Sequence, residues 1–327
     1  MAVKSLSREP DEAQASEFFI VGCPRSGTTL LRWMLDMHGD IAVTPETHFG
    51  VNYVRNRDRF GLDGDATTRN SLLDDFCASD GFREMAIDEG RFRVRAQSDA
   101  NDPWQPLRAA VQDFARHRKV AIVGEKTPSH ALHIEALSKA FPEARFLLLR
   151  RDPRAVVASW NRTKWSKRTS VEVSEKWRRY SQAMRHAYRV LPGRCLEIRY
   201  EELILYSTAV LESVCTFLGA EFDSRMLFYH ERDTTSFTED VDNELTFEPP
   251  NPARVDAWQA DIPALLLRQI EAICGREMVE FGYQRVTSVR ERLPMSITVL
   301  PVLWRKRVRR KLRGRRTEDK RAGSELS

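Results

Sequence analysis

A glycine-bearing loop at residues 22–29 contains the residue types that bind an anion. It reads Gly-Cys-Pro-Arg-Ser-Gly-Thr-Thr and lies between a short apolar run, 18–22, and a segment with apolar residues at helical spacing. In a strand–loop–helix unit, the backbone N–H groups of the loop and of the first helical turn converge on a phosphate. The two glycines have P-loop spacing, but Thr28 replaces the lysine that should follow the second glycine. This replacement weighs against ATP or GTP hydrolysis, and Arg25 offers a cation from inside the loop instead.

Two further polar segments follow predicted strands. Glu46 comes after the predicted strand 41–43, and Lys126 comes after the predicted strand 120–124. The carboxyl ends of parallel strands lie at one edge of a sheet, so we expect both side chains near the anion-binding loop. A group transfer to a hydroxyl needs a base for the acceptor proton and a cation for the leaving group. We take Glu46 as the base and Lys126 as the cation.

Other residues compete for these roles. His48 is the main alternative to Glu46 as the base, and His130 is a weaker third choice. Glu46 is preferred because a single histidine is more often structural. For Lys126, the alternative is a solvated lysine paired with its neighbour Glu125.

A second anion-binding segment is predicted at residues 150–159. It follows the predicted strand 145–149 and enters a helix at Asp152-Pro153, which is a favourable helix start. This placement brings Arg151 to the same sheet edge as the first loop.

These two segments together resemble the donor-binding motifs of sulfotransferases that use 3′-phosphoadenosine 5′-phosphosulfate (PAPS). Residues 24–29 resemble the loop that holds the 5′-phosphosulfate, whose typical form is Pro-Lys/Arg-Ser-Gly-Thr-Thr. Arg151 and Ser159 match the arginine and serine that bind the 3′-phosphate in that family. The resemblance is closest to protein-tyrosine and bacterial sulfotransferases, and it covers roughly residues 17–285. It implies an α/β fold with a P-loop-containing parallel sheet flanked by helices and a helical cap insertion.

The resemblance also implies the roles of individual residues. PAPS is the expected co-substrate, without a metal, because a terminal sulfuryl group carries less charge than a γ-phosphate. Glu46 matches the glutamate base, a Glu-Lys-Thr-Pro segment like that around Lys126 recurs in the family, and the tyrosine of a Tyr-Glu-Asp/Glu segment lies near the adenine. The late loop 251–258 is the expected nucleotide cover, although Asp256 stands near the place where related enzymes often have serine. The catalytic residues are predicted to be Glu46, Lys126 and Arg25, and the donor-binding residues Arg25, Ser26, Gly27, Thr28, Thr29, Arg151, Ser159, Tyr200 and Arg254.

Short apolar runs alternating with amphipathic segments predict the elements that position these residues. Residues 15–290 are predicted to form the catalytic domain, and 50–118 a helical cap that shapes the acceptor pocket. A basic tail follows at 291–327. Predicted strands cover 18–22, 41–43, 120–124, 145–149 and 195–198, and predicted helices cover 28–38, 172–191, 208–218 and 265–281. Trp177, Tyr180, Met184 and Tyr188 are the expected core stripe of the second helix. A further helix is predicted to start at Thr127-Pro128, with Thr127 as its cap and Pro128 in its first turn.

The overall composition sets the remaining expectations. No apolar run is long enough to span a membrane and the N-terminal segment is polar, so we expect a cytoplasmic protein. The five scattered cysteines are expected to be reduced thiols. Nine Lys and Arg residues lie between 305 and 316, and without them the net charge of +5 becomes negative. This tail is either a peripheral contact with anionic lipid or a solvated segment, and no nucleic-acid partner is expected.

The acceptor stays open at this stage, and a carbohydrate, lipid, peptide or small molecule all fit. Two other functions compete with sulfuryl transfer. A P-loop small-molecule kinase would need Mg²⁺, for which the sequence offers no obvious residues, and a catalytically silent nucleotide-binding protein would keep the pocket without turnover.

Overall fold

Five parallel strands form the sheet of the protein, in the order β2-β3-β1-β4-β5. The structure is a computed structural model that describes residues 14–54, 66–99, 102–163, 166–232 and 247–292. The strands are β1 (Ser16–Gly22), β2 (Ile41–Thr44), β3 (Ile122–Lys126), β4 (Arg145–Arg150) and β5 (Cys195–Arg199). Their apolar runs are buried, with Ile20, Val21 and Leu148 fully shielded from solvent. Continuous apolar runs are expected of parallel strands covered on both faces, so the predicted fold class is confirmed.

Two compact units make up the chain. The first contains the described residues up to Arg151 together with Ala183–Pro252, and it includes the whole sheet. Its helices are α1 (Thr28–Asp36), α2 (Ala66–Cys77), α3 (Asp80–Glu84), α4 (Glu89–Ala96), α5 (Gln105–Arg118), α6 (Ile134–Ala140), α9 (Tyr200–Leu205) and α10 (Ser207–Leu218), with a π-helical turn at Gly50–Val54 and 3₁₀ segments at Pro128–Leu132 and Ser224–Glu231.

The second unit contains Asp152–Gln182 and the described residues from Ala253 onward. Its helices are α7 (Pro153–Asn161), α11 (Ala253–Asp256), α12 (Trp258–Asp261) and α13 (Ala264–Glu280), and α8 (Ser170–Val190) begins in it and ends in the first unit. Asp152 caps α7 as its sequence predicted, since its carboxylate accepts a hydrogen bond from the Arg154 backbone at 2.8 Å.

The segment predicted as a cap contains helices α2 to α5. An aromatic cluster holds it together: Phe82 lies 4.7 Å from Phe92 and 5.3 Å from Phe76, between ring centroids. Phe49 joins the same cluster, 5.2 Å from Phe76. Since Phe49 lies three residues after Glu46, the cap and the predicted base are parts of one packed region.

Two local predictions were wrong. Tyr188 does not belong to the buried stripe of α8, because its side chain is 49% exposed while Trp177, Tyr180 and Met184 are buried. Thr127 precedes a 3₁₀ turn without capping it by a side-chain hydrogen bond. Its hydroxyl bonds instead to Glu125, at 2.5 Å.

The basic tail lies outside the described residues from 293 onward, so its two alternatives stay predictions. All five cysteines are buried free thiols. Within the described part of the chain, no helix has both the length and the apolar character needed to cross a membrane.

Candidate active site

The glycine-bearing loop turns tightly between β1 and α1. Arg25 and Gly27 both have left-handed backbones, with φ of 74° and 94°, and the Ser26 amide donates to the Cys23 carbonyl at 3.1 Å. No side chain caps the first turn of α1. The loop and helix amides are therefore arranged as in an anion-binding nest.

Ser26 and Gly27 test whether the loop suits a ligand. The Ser26 side chain is buried, and its hydroxyl has no hydrogen-bond partner among the described residues. A buried hydroxyl normally has a partner, and a phosphosulfate oxygen would provide one. A Cβ atom on Gly27 would approach the Tyr200 ring to 2.5 Å. The loop thus fits the anion that its sequence predicts, and Gly27 meets both a conformational and a steric need.

Arg151 brings the second motif to the first. Its Nη1 donates to the Arg25 carbonyl at 3.1 Å, and its guanidinium lies 3.9 Å from the centre of the Tyr200 ring. Tyr200 therefore contacts both Gly27 and Arg151. The predicted proximity of the two arginine-bearing segments, 24–29 and Arg151, is observed.

The other two predicted donor-binding residues belong to the second unit. Ser159 is buried in α7, and Arg254 is half-buried in the short helix α11. Their roles toward the donor stay predictions.

Glu46 and Lys126 form the centre of the site. Lys126 ends β3 and its side chain is 3% exposed, whereas that of Glu46 is 32% exposed. The Lys126 Nζ donates to Glu46 Oε1 at 2.5 Å and lies 3.4 Å from the Thr29 hydroxyl in the first turn of α1. The alternative pairing of Lys126 with Glu125 is wrong, because consecutive strand residues point to opposite faces of the sheet.

The charges around this pair shift both pKa values. Burial favours the neutral carboxyl of Glu46, but electrostatic interactions with Lys126 and His48 outweigh it and lower the pKa of Glu46. Burial lowers the pKa of Lys126, and Arg32 adds to that effect while Glu46 opposes it. A carboxylate with a lowered pKa is ionised at neutral pH, as a general base must be.

The two histidines that competed with Glu46 have different surroundings. His48 has a half-exposed side chain whose Nε2 lies 3.2 Å from Glu46 Oε2, so it is a neighbour of the predicted base. His130 is fully buried and lies 2.8 Å from Glu125. His130 therefore has no open position for an acceptor.

Sequence reasoning missed two features. Glu125, Thr47, Thr127 and His130 form a buried hydrogen-bond network directly behind the Glu46 segment. Strand alternation was the available signal, since it places Glu125 opposite Lys126. Gly81 in α3 also packs against this segment, so closely that a Cβ atom there would lie 2.2 Å from the Glu46 carbonyl oxygen.

No cluster of three or more His, Cys, Asp or Glu side chains within the described ranges is arranged to hold a metal ion. The cationic side chains near the loop include Arg25, Lys126 and Arg151.

Curated relatives of the chain are protein-tyrosine sulfotransferases. Protein-tyrosine sulfotransferase 2 of Gallus gallus is 27% identical over 293 residues, covering 81% of this chain and 68% of the relative. A putative protein-tyrosine sulfotransferase of Caenorhabditis briggsae is 26% identical over 220 residues, covering 65% and 69%. These relatives show that the predicted cytoplasmic location is wrong, because protein-tyrosine sulfotransferases are Golgi membrane enzymes.

Solved structures share the fold. The sulfotransferase domain of the Synechococcus PCC 7002 olefin synthase matches with a TM-score of 0.59 and 24% identity, covering 84% of this chain and 98% of that domain. The sulfotransferase domain from the curacin biosynthetic pathway matches with a TM-score of 0.57 and 20% identity, covering 84% and 99%.

The two segments predicted to bind phosphate, the parallel sheet and the contact of Glu46 with Lys126 agree with a family assignment drawn from the sequence. A model of the sulfotransferase family matches residues 17–224, which is more than half of the chain. The chain belongs to the sulfotransferase family.

Proposed function

We propose that the edge of the sheet formed by residues 23–29, Glu46 and Lys126 is the active site of this sulfotransferase. The family transfers a sulfuryl group from PAPS to an acceptor. The observation that carries the assignment is the buried Lys126, which bonds to the ionised Glu46 and lies beside Thr29 of the phosphate loop. A base and a cation are therefore adjacent to the predicted anion site.

In this proposal the loop and Arg151 hold the donor. The amides of residues 25–29, the Ser26 hydroxyl and the Arg25 side chain bind the phosphosulfate. Arg151 and Ser159 are assigned to the 3′-phosphate, Tyr200 to the adenine side and Arg254 to the cover over the nucleotide. Contact between Tyr200 and both Gly27 and Arg151 supports this division, because one ring orders both anion-binding segments.

Glu46 and Lys126 then act on the two ends of the displacement. The acceptor oxygen forms a bond to sulfur while the sulfur–oxygen bond to the 5′-phosphate breaks, and the electron pair of that bond leaves with adenosine 3′,5′-bisphosphate. Glu46 takes the proton from the acceptor hydroxyl, and Lys126 stabilises the negative charge that develops on the leaving oxygen. The short Glu46–Lys126 contact keeps both groups oriented before the acceptor binds.

We further propose that the acceptor is the phenol of a peptide tyrosine. The names of the curated relatives support this choice over a carbohydrate, lipid or small molecule. The exposed third of Glu46 gives an extended peptide access to the base.

Binding of adenosine 3′,5′-bisphosphate and of ATP, each with and without Mg²⁺, tests the donor. Calorimetry should give tighter binding of the bisphosphate and no effect of Mg²⁺. Tighter binding of ATP in the presence of Mg²⁺ would favour the kinase alternative and remove the proposal.

Transfer of labelled sulfate from PAPS tests the acceptor. A tyrosine-containing peptide should be labelled, and the same peptide with phenylalanine in place of tyrosine should not. Labelling of a small phenol but not of the peptide would reject the peptide acceptor and keep the sulfotransferase. Bisphosphate binding without labelling of any acceptor class would favour a silent binding protein.

We also propose that the basic tail contacts anionic membranes, on the basis of its nine Lys and Arg residues between 305 and 316. Sedimentation with vesicles containing phosphatidylserine should depend on residues 293–327, and vesicles of neutral lipid should bind neither form. Equal binding of the tail to duplex DNA would mean a general polyanion contact instead.

A further inference from the structure

A buried polar network lies behind the segment that carries Glu46. It consists of Thr47, Glu125, Thr127 and His130, and each of these residues is at most 3% exposed. Thr44, at the end of β2, pairs in register with Glu125 on β3. The network is thus located where β2 ends and the Glu46 segment begins.

Strand alternation separates the network from the reacting groups. Glu125 and Lys126 are consecutive strand residues and point to opposite sides. Lys126 therefore contacts the Glu46 carboxylate, while Glu125 contacts Thr47. Lys126 thus holds the Glu46 side chain from one side, and the network holds the Thr47 amide and hydroxyl from the other.

Hydrogen-bond directions within the network are fixed by donor chemistry. The Thr127 hydroxyl accepts from the amides of Thr47, at 3.1 Å, and His48, at 3.2 Å, so its single proton is directed to Glu125. The Thr47 hydroxyl donates to the same oxygen, Glu125 Oε1, at 2.8 Å. Thr127 therefore connects the backbone of the Glu46 segment directly to β3.

The other end of the network fixes the tautomer of His130. The Gly50 amide donates to His130 Nε2 at 2.9 Å, so the proton of this imidazole lies on Nδ1 and is donated to Glu125 Oε2 at 2.8 Å. Thr47, Thr127 and His130 all donate hydrogen bonds to Glu125. An ionised carboxylate can accept all of these bonds, because it has no proton of its own to donate. Burial favours the neutral form, but His130 and the hydroxyls outweigh it and lower the pKa of Glu125.

We infer that Thr127, Glu125, Thr47 and His130 are positioning residues, which hold the 46–50 backbone so that Glu46 stays in contact with Lys126. This inference rests on the proposed role of Glu46 as the base. It assigns a function in the reaction to side chains that cannot reach the substrate. A network that is merely part of the core would stabilise the fold without changing the state of Glu46.

Two substitutions of Thr127 separate positioning from packing. Thr127→Val keeps the volume and suits the extended backbone, with φ of −130° and ψ of 107°, but removes the hydroxyl. Thr127→Ser keeps the hydroxyl and removes a methyl group. The first variant retains packing without the hydrogen bonds, and the second retains the hydrogen bonds with less packing.

Carbon-13 NMR titration of the glutamate carboxyls in the full-length protein gives a readout that needs no acceptor. The Glu46 signal is identified by its absence in Glu46→Gln. Burial and Glu125 raise the pKa of Glu46, but Lys126 and His48 lower it below its ordinary range, so loss of contact with Lys126 should raise it. We expect this rise in Thr127→Val and not in Thr127→Ser. An unchanged Glu46 pKa in folded Thr127→Val would overturn the inference.

Turnover provides the second readout. Thr127→Val should lower kcat roughly 10- to 100-fold through misplacement of the base, with the KM for PAPS unchanged, and Thr127→Ser should keep most of the activity. When Glu46→Gln is already present, adding Thr127→Val should lower kcat no further. Multiplied losses would refute positioning while leaving the base assignment intact, whereas full activity of Glu46→Gln alone would refute the base assignment itself.

Discussion

The Lys126–Glu46 pair and the Arg154 cluster are both buried charge clusters, but they differ in how far their partners are enclosed. Arg154 bonds to both oxygens of Asp152 and, at 3.0 Å, to Glu271, and the three side chains are 6%, 8% and 0% exposed. Glu46 keeps about a third of its side chain accessible. The enclosed cluster has its charges satisfied by the protein, whereas the open pair keeps one carboxylate available to a substrate.

The other contacts of the two clusters differ as well. Glu271 also accepts from the amides of Val286 and Thr287, each at 3.0 Å, so it ties the segment after α13 to the helix. Lys126, by contrast, lies 3.4 Å from the hydroxyl of Thr29, in the glycine-bearing loop. Of these two clusters, only the one that keeps a carboxylate accessible has the arrangement expected of a group that acts on a substrate directly.

The strongest test of this difference between the clusters is to neutralise one carboxylate in each of them. Glu46→Gln should lower kcat by about 10²- to 10⁴-fold, the usual contribution of a general base, and should destabilise the fold less than Glu271→Gln does. Glu271→Gln should keep the kcat of the folded enzyme and lower the free energy of unfolding by about 1–3 kcal/mol, because an amide NH₂ then faces backbone donors. Steady-state kinetics and urea unfolding measure both, and a large loss of kcat in Glu271→Gln would contradict the distinction.

Removing the cations should give a similar separation. Arg154→Met leaves Asp152 and Glu271 buried without their partner and should cost about 3–5 kcal/mol of stability. Lys126→Met should lower kcat by about 10²- to 10³-fold, as for other groups that stabilise developing negative charge. If Lys126→Met destabilised the fold as much as Arg154→Met, the open pair would have to be regarded as structural.

Two glycines extend the comparison of functional and structural positions to the backbone. Gly27 and Gly193 both have positive φ, 94° and 74°, but a Cβ at Gly193 meets nothing within 4 Å. Each Gly→Ala change should cost about 1–2 kcal/mol of backbone strain. Only Gly27→Ala should also weaken binding of adenosine 3′,5′-bisphosphate, since it displaces Tyr200. Equal affinities of the two variants, by calorimetry, would remove Gly27 from the donor site.

The smallest effect is expected in the acid stability of the protein. Glu46 and Glu125 have pKa values below the ordinary range, so the stability linked to their ionisation is present above about pH 4.3 and is lost as the pH falls further. Glu46→Gln should therefore flatten the dependence of the unfolding free energy on pH in this acidic range. An unchanged slope would mean that Lys126 does not stabilise the charged carboxylate.

Short-range patterns predicted much of the fold. The strands were placed to within two residues by continuous apolar runs, and the loop at 22–29 by its glycines and its position between a strand and a helix. The proximity of Glu46 and Lys126 also followed from sequence, because parallel strands end at one edge of the sheet.

The unpredicted features depend on contacts between distant segments. Thr127 has the residue type and position of a helix cap, and only the tertiary structure directs its hydroxyl to Glu125 and the backbone at Thr47. Tyr188 has helical spacing with the buried stripe, but its side chain, near the C-terminal end of α8, is exposed. Such residues satisfy their local pattern, and the neighbours that decide their role are far away in the sequence.

Gly81 has a consequence for how the acceptor preference of this enzyme can change. Helix α3 touches the peptide group of Glu46 at a point where no side chain fits. A shift of the cap that admits a bulkier acceptor would therefore push directly on the proposed base. New acceptors are more easily accommodated by changes elsewhere in the cap, and variants selected for broader acceptor use should retain glycine at this position.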